Sequence, residues 1–224
     1  MSNSQPNIAI LGLGTRSTLF YLEQLNTKFH AIKGEYHTFP SITYSVDFNT
    51  INQYLPNQFD ALKPVVAKHL NRLTQYNISS CIIPNITLHE TVDQLHTPVS
   101  IIHPITLCIR HLKSHNINKV TLFGSLYTMT SSYISDIFKK ENISISFPNK
   151  QDQISIDNCR KQIYNYSETD ADQSNYSSLI SKYTQDSCVV VACTELSIWS
   201  PKYNSKTVID MALLQIEKAL KNYI

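Results

Sequence analysis

Ile8-Ala9-Ile10-Leu11-Gly12 lies near the start of the chain, and Val120-Thr121-Leu122-Phe123-Gly124 repeats its pattern half a chain-length later. Each is a short, mostly apolar run that stops at a glycine. Such runs read as strands buried on both faces. The chain has only four glycines, so these two positions are informative. A residue without Cβ lets the backbone turn tightly out of a strand and approach a ligand closely. Thr18 and Tyr21 follow Gly12 at the offsets at which Thr130 and Tyr133 follow Gly124. A second pair, Ile82-Ile83-Pro84-Asn85-Ile86-Thr87 and Val190-Val191-Ala192-Cys193-Thr194, also runs from a buried strand into a threonine-containing turn. The pattern predicts an α/β protein of two similar, pseudo-symmetric lobes. Each lobe is a mostly parallel sheet flanked by helices, with the active site in the cleft between them, outside the strand carboxyl ends.

Working outward, strands are expected at Ile8–Leu11, Ile42–Val46, Ser80–Pro84, Val99–Ile102, Val120–Phe123, Ile143–Phe147 and Cys188–Ala192. Helical periods fall over Phe59–Tyr76, Leu107–His115, Thr130–Lys140, Asn175–Tyr183 and Met211–Tyr223. Strand alternating with helix means βαβ units. Residues 1–100, with the C-terminal helix within 209–224, are expected to form the first lobe, and residues 101–208 the second.

Composition narrows the function classes. Lys and Arg total 19 against 17 Asp and Glu, and no basic run stands out, so neither nucleic acid nor an anionic membrane is an expected partner. No stretch approaches the roughly 20 apolar residues of a spanning helix. No secretory leader is evident, and the five cysteines are odd in number and irregularly spaced. Free thiols in the cytoplasm are therefore expected. No CxxC, HExxH or Cys/His cluster suggests a metal. Gly12-Leu13-Gly14 begins a dinucleotide fingerprint, but Ser17 stands where the third glycine is required.

Cys193 carries the chemistry in this reading. It stands just past a buried strand, followed by Thr194 and Glu195. Free N–H groups at such a strand-to-helix turn favour a thiolate. Around the Gly124 turn, Ser125, Thr128 and Thr130 offer hydroxyls that either hold a carboxylate or cap a helix. Ser17, Thr18 and Arg16 form the matching set after Gly12. Arg16 either pairs with a carboxylate or is a surface arginine. Asn85 and Thr87 follow the Ser80–Pro84 strand as carboxylate donors, and His89 is a base or a cap. Ser45, in Tyr44-Ser45-Val46-Asp47-Phe48, adds a polar group at another strand end.

These motifs, in this order, resemble the aspartate/glutamate racemase family. Its members are cofactor-independent amino-acid racemases related to hydantoin racemase and arylmalonate decarboxylase. Ala192-Cys193-Thr194-Glu195-Leu196 is similar to the family's Gly-Cys-Thr-Glu-Leu, its most specific motif. Gly124-Ser125-Leu126-Tyr127-Thr128-Met129-Thr130 resembles its Gly-Thr-x-x-Thr-Met turn. Pro84-Asn85-Ile86-Thr87-Leu88-His89 sits where the family has Cys-Asn-Thr-x-His, and Val208-Ile209-Asp210 also fits.

The resemblance implies an isomerase of amino-acid metabolism, working without metal or pyridoxal phosphate, on aspartate, glutamate or a related small carboxylic acid, as a homodimer. Two thiols flank the substrate Cα; one removes the proton and the other returns one to the opposite face. Carried over, Cys193 is one acid/base, and Thr194, Thr128, Thr130 and Thr87 hold carboxylates. The other thiol's position is Asn85, and an amide does not shuttle protons at neutral pH. Ile86, Ser125, Arg16 and His103 are further departures. The expectation is a racemase-like enzyme with one thiol. Two alternatives stand beside it: a carboxylate-binding protein without turnover, and a single-thiol decarboxylase or lyase.

Overall fold

The computed structural model describes residues 7–223. The chain divides into two compact units, one running to His103 and resumed from Gln215, the other spanning Pro104–Leu214. Each holds one four-stranded parallel sheet flanked by helices.

The first unit runs β1 (Ile8–Gly12), α1 (Thr15–Lys33), β2 (Ile42–Ser45), α2 (Asn49–Asn52), α3 (Phe59–Leu73), β3 (Ser80–Ile82), α4 (His89–Val92) and β4 (Ser100–Ile101). Its sheet order is β2-β1-β3-β4, with every pair parallel. The all-apolar β1 is central and buried along its whole length, whereas the edge strand β2 alternates half-buried and exposed residues. Leu62, Val66, Leu70 and Leu73 recur at helical spacing on α3 and pack with Leu11, Cys81 and Ile83. That stripe is what turns α3 onto the sheet.

The second unit contains α5 (Pro104–Ser114), β5 (Lys119–Gly124), α6 (Leu126–Thr130), α7 (Tyr133–Lys140), β6 (Ser144–Ser146), α8 (Lys150–Tyr164), α9 (Asp170–Tyr183), β7 (Cys188–Ala192) and β8 (Val208–Asp210). The helix α10 (Met211–Leu220) follows. Its sheet order, β6-β5-β7-β8, is that of the first sheet strand for strand, again all parallel. Phe123, Tyr176, Val189, Val191 and Trp199 fill its core together with Cys193.

Several elements depart from the sequence expectation. The helix expected over Thr130–Lys140 starts only at Tyr133, and Thr130 closes a separate short helix, because Ser131 is extended (φ −80°, ψ 156°) and the Thr130 hydroxyl bonds back to the Leu126 carbonyl at 2.8 Å. Serine and threonine compete with the helical ladder in this way. The helix at Asn175 begins earlier, at Asp170, where Thr169 and Asp172 form a capping box. The helix α8 was not anticipated: its stretch Lys150-Gln151-Asp152-Gln153 is polar, and Asn149 starts it by accepting from the Asp152 N–H at 2.9 Å. Val208–Asp210 is a strand as well as a helix lead-in, paired in parallel with β7. Val99–Ile102 shrinks to two paired residues.

The two strand-end glycines are closely overlaid. A Cβ on Gly124 would sit 2.8 Å from Thr128 Cγ2 and 3.2 Å from the Ala192 carbonyl oxygen. On Gly12 the nearest atom is the Ser45 hydroxyl at 2.9 Å, the end of an exposed side chain that can rotate. Gly124→Ala is therefore expected to lower stability by about 1–3 kcal/mol, and Gly12→Ala by less, as read from urea unfolding midpoints.

Candidate active site

In the second unit the strand ends converge on Cys193. Gly124 on β5 pairs with Ala192 on β7, so Cys193 is the first residue past that rung. The thiol is 6% exposed, packed with the cluster that includes Tyr176 and Trp199. Its Sγ donates to Glu195 Oε2 at 3.1 Å. Burial first, then the Glu195 carboxylate, push the thiol well above its usual value; Arg160 and the Leu196 N–H pull the other way and are outweighed. Free of substrate, Cys193 is a protonated thiol beside a carboxylate.

Arg160 comes from α8. Its Nε donates to Asp157 Oδ1 at 2.9 Å, and Lys161 pairs with the other oxygen of Asp157 at 2.7 Å. Asp157 also accepts from the Leu126 N–H at 3.1 Å, at the start of α6. Burial opposes the charge of Arg160, but Cys193, Asp157 and Glu195 outweigh it and hold the guanidinium above its usual value. Arg160, held by Asp157 beside the α6 turn, thus acts on the thiol through its charge. Sequence reasoning missed it because α8 itself was missed. The signal present was Asp157 with Arg160 and Lys161 at i+3 and i+4, a helix-supporting charge pattern.

The remaining residues expected here separate. Thr128 is buried, its hydroxyl 2.9 Å from that of Ser125 and its methyl against Gly124. Thr194 is buried, with its hydroxyl 3.5 Å from Glu195 Oε2. Thr130 is exposed and its hydroxyl faces its own helix. The residue that packs on Gly124 is Thr128, four positions on, whereas Thr18 packs on Gly12 from six positions on. The equal offsets of Thr18 and Thr130 are therefore not structurally matched. Behind the thiol, the Ser197 hydroxyl lies 3.0 Å from both the Cys193 carbonyl and Asp210 Oδ1. Asp210 in turn accepts the Ala212 and Leu213 N–H groups that open α10. The turn is anchored on its inner side, and the thiol is left facing Glu195.

The first unit has a parallel construction. Ile10 on β1 pairs with Ile82 on β3. That is the last pair of this ladder; Asn85 follows three residues later, where its N–H closes a tight turn onto the Ile83 carbonyl at 2.7 Å. Asn85 resembles Cys193 in motif order and in the hydrogen bonds of its turn. The turns match further. The Leu88 N–H donates to Asn85 Oδ1 at 2.9 Å, as the Leu196 N–H, also three residues on, is directed to the thiol. His89 Nδ1 bonds to the Asn85 carbonyl at 2.8 Å, as Ser197 does to that of Cys193. A carbonyl only accepts, so His89 carries its hydrogen on Nδ1. Its Nε2 is buried without a hydrogen-bond partner, 4.8 Å separates its ring from that of His103, and burial followed by His103 pushes the imidazole down to about 3. His89 is a neutral, structural anchor of the turn. Thr87 is half-buried beside it, Arg16 is half-buried at the start of α1, and Ser45 is exposed at the end of β2.

The two influences on the thiol predict opposite changes. Glu195→Gln removes a negative neighbour and is expected to shift the pH midpoint of Cys193 alkylation down. Arg160→Gln removes a positive one and is expected to shift it up. Iodoacetamide labelling followed by mass spectrometry across pH 6–11 checks both signs.

Among the described residues no group of three or more His, Cys, Asp or Glu side chains is placed to hold a metal ion, and no helix is long and apolar enough to cross a membrane. Among curated proteins the sequence has no significant match. The fold is similar to that of an aspartate racemase homologue from Pyrococcus horikoshii OT3, with TM-score 0.79 and 19% identity over 96% of this chain and 98% of that one. It is similar to Picrophilus torridus aspartate racemase, with TM-score 0.79 and 18% identity over 98% and 94%. Glutamate racemase from Francisella tularensis, solved in complex with D-glutamate, is similar at TM-score 0.60 and 15% identity over 98% and 81%. The sequence matches the family model described as Asp/Glu/Hydantoin racemase over residues 10–219, and the chain belongs to that family.

Proposed function

We propose that this protein is a racemase-type isomerase reduced to one thiol, which exchanges the Cα proton of aspartate, glutamate or a related acid with Cys193 as acid and base. The observation that carries the reading is the hydrogen bonding of the two turns. Motif order makes Asn85 the counterpart of Cys193, and its amide oxygen is taken by the Leu88 N–H as the Leu196 N–H is directed to the thiol. An amide so held can donate a hydrogen bond but transfers no proton at neutral pH.

In this mechanism the S–H proton passes to Glu195, which already accepts it at 3.1 Å, and Arg160 stabilises the thiolate. The thiolate removes the Cα proton and later returns one to the same face. Thr128 and Thr194 are the donors to a substrate carboxylate in the second unit; Thr87, Ser45 and Arg16 are the corresponding candidates in the first, and Thr130 is the weakest because its hydroxyl is occupied. Such donors also stabilise the enolate charge as it grows. An acidic amino acid as substrate is supported by the D-glutamate complex of the Francisella relative. All five cysteines are free, which supports a reducing, cytoplasmic setting, and a homodimer is the assembly the family suggests.

A single-thiol decarboxylase is the second reading. It is favoured by a thiol kept protonated by burial and Glu195, ready to protonate a carbanion left by CO₂. Protection of Cys193 from iodoacetamide tests the binding step shared by both. L- or D-aspartate or glutamate is expected to slow alkylation in a saturable way. Protection by a substituted malonate alone, with CO₂ release, would select the decarboxylase; no protection by any of these acids would contradict both readings.

A further inference from the structure

The last turn of α5 and the residue just after it carry a His-x-x-x-His pair that the catalytic reading leaves unused. Residues four apart stand one above the other on a helix face. Here the imidazoles of His111 and His115 stack, with ring centroids 4.3 Å apart and planes 27° from parallel. His115 is exposed and His111 half-buried. The Nδ1 of His115 bonds to the His111 carbonyl at 2.8 Å. Because a carbonyl only accepts, that nitrogen carries the hydrogen and Nε2 carries the lone pair. A ring whose far N–H is anchored on a backbone carbonyl is the arrangement that orients metal-binding histidines.

We propose that His111 and His115 form a two-imidazole clamp for a divalent cation of the copper, nickel and zinc class. Imidazole nitrogen suits these borderline ions, whereas calcium and magnesium take oxygen ligands. Two ligands from one helical turn leave the other coordination positions to water, so the ion exchanges readily. Lys113, on the same turn, is paired with Glu141 and its charge is offset. A purely structural role makes a different prediction: a histidine near a helix C-terminus complements the dipole, and replacing it then alters stability without altering metal uptake.

Isothermal titration of nickel chloride into the full-length protein tests the clamp, with His111→Asn and His115→Asn as variants and circular dichroism as the check on folding. One saturable equivalent is expected, tighter for copper than for nickel and undetectable for magnesium. Each variant is expected to weaken nickel binding at least tenfold with its helical signal unchanged. Should His111→Asn fail to fold, the exposed His115→Ala variant gives the same reading. Absence of saturable nickel binding, or unchanged affinity in the His115 variants, overturns the proposal.

Discussion

Cys193→Ala is expected to lower Cα proton exchange about 10²–10⁴-fold, the range a positioned acid–base group supplies. The substitution should leave the fold intact. The Cys193 carbonyl keeps its backbone and Ser197 contacts; what is lost is the sulfur with its contacts to Glu195 and the Leu196 N–H, at a cost on the order of 1–2 kcal/mol. Cys193→Ser separates the chemistry from the packing. A hydroxyl fills nearly the same space and can hydrogen-bond to Glu195, but its far weaker acidity leaves it unable to exchange protons. Serine is thus expected to resemble alanine in rate and the native protein in stability. Alanine or serine variants that retain full exchange would move the acid–base role to another group, with Glu195 the first to examine.

Asn85→Cys is expected to have the opposite sign: it should create inversion of configuration where the native protein gives little. Residue 85 is the counterpart of Cys193 in motif order, and the Leu88 N–H that now binds the amide oxygen would point at the new sulfur as the Leu196 N–H does at Cys193. A second thiol at the family's second proton-carrier position should raise racemisation at least tenfold. Loss of the Asn85–Leu88 hydrogen bond should cost only about 1 kcal/mol. Asn85→Ala is the control, since it opens the same space without a transferable proton and should not invert. Chiral chromatography of aspartate and glutamate after incubation reads both variants. Equal inversion by the alanine and cysteine variants would show that the thiol is not what residue 85 lacks.

Much of this was legible in the sequence for one physical reason. Strands buried on both faces must be continuously apolar, so Ile8–Leu11 and Cys188–Ala192 announce themselves, and a strand end that must turn at once under a packed side chain needs glycine. Both Gly12 and Gly124 sit under threonine methyls. The matching of Asn85 with Cys193 follows from motif order. What was not legible depended on tertiary partners. The helix α8 has a weak apolar face and is held by an asparagine cap and by Asp157 bonding to the α6 turn, so Arg160 stayed hidden. The break between α6 and α7 rests on one extended serine inside a helical period. The pairing of Thr18 with Thr130 rested on equal spacing, but the turns differ in length, and contact with glycine selects Thr128. The inertness of His89 needed its burial and its carbonyl partner to be seen.

The most direct measurement is proton NMR of the native protein with L- and D-aspartate and L- and D-glutamate, each incubated separately in D₂O. A single thiol on one face predicts loss of the Cα proton signal from one enantiomer only, with configuration retained, and no loss in Cys193→Ala. Inversion at a rate equal to exchange would contradict the one-thiol account by showing that a second group returns the proton. An absence of exchange with all four amino acids would contradict the assignment of acidic amino acids as substrates.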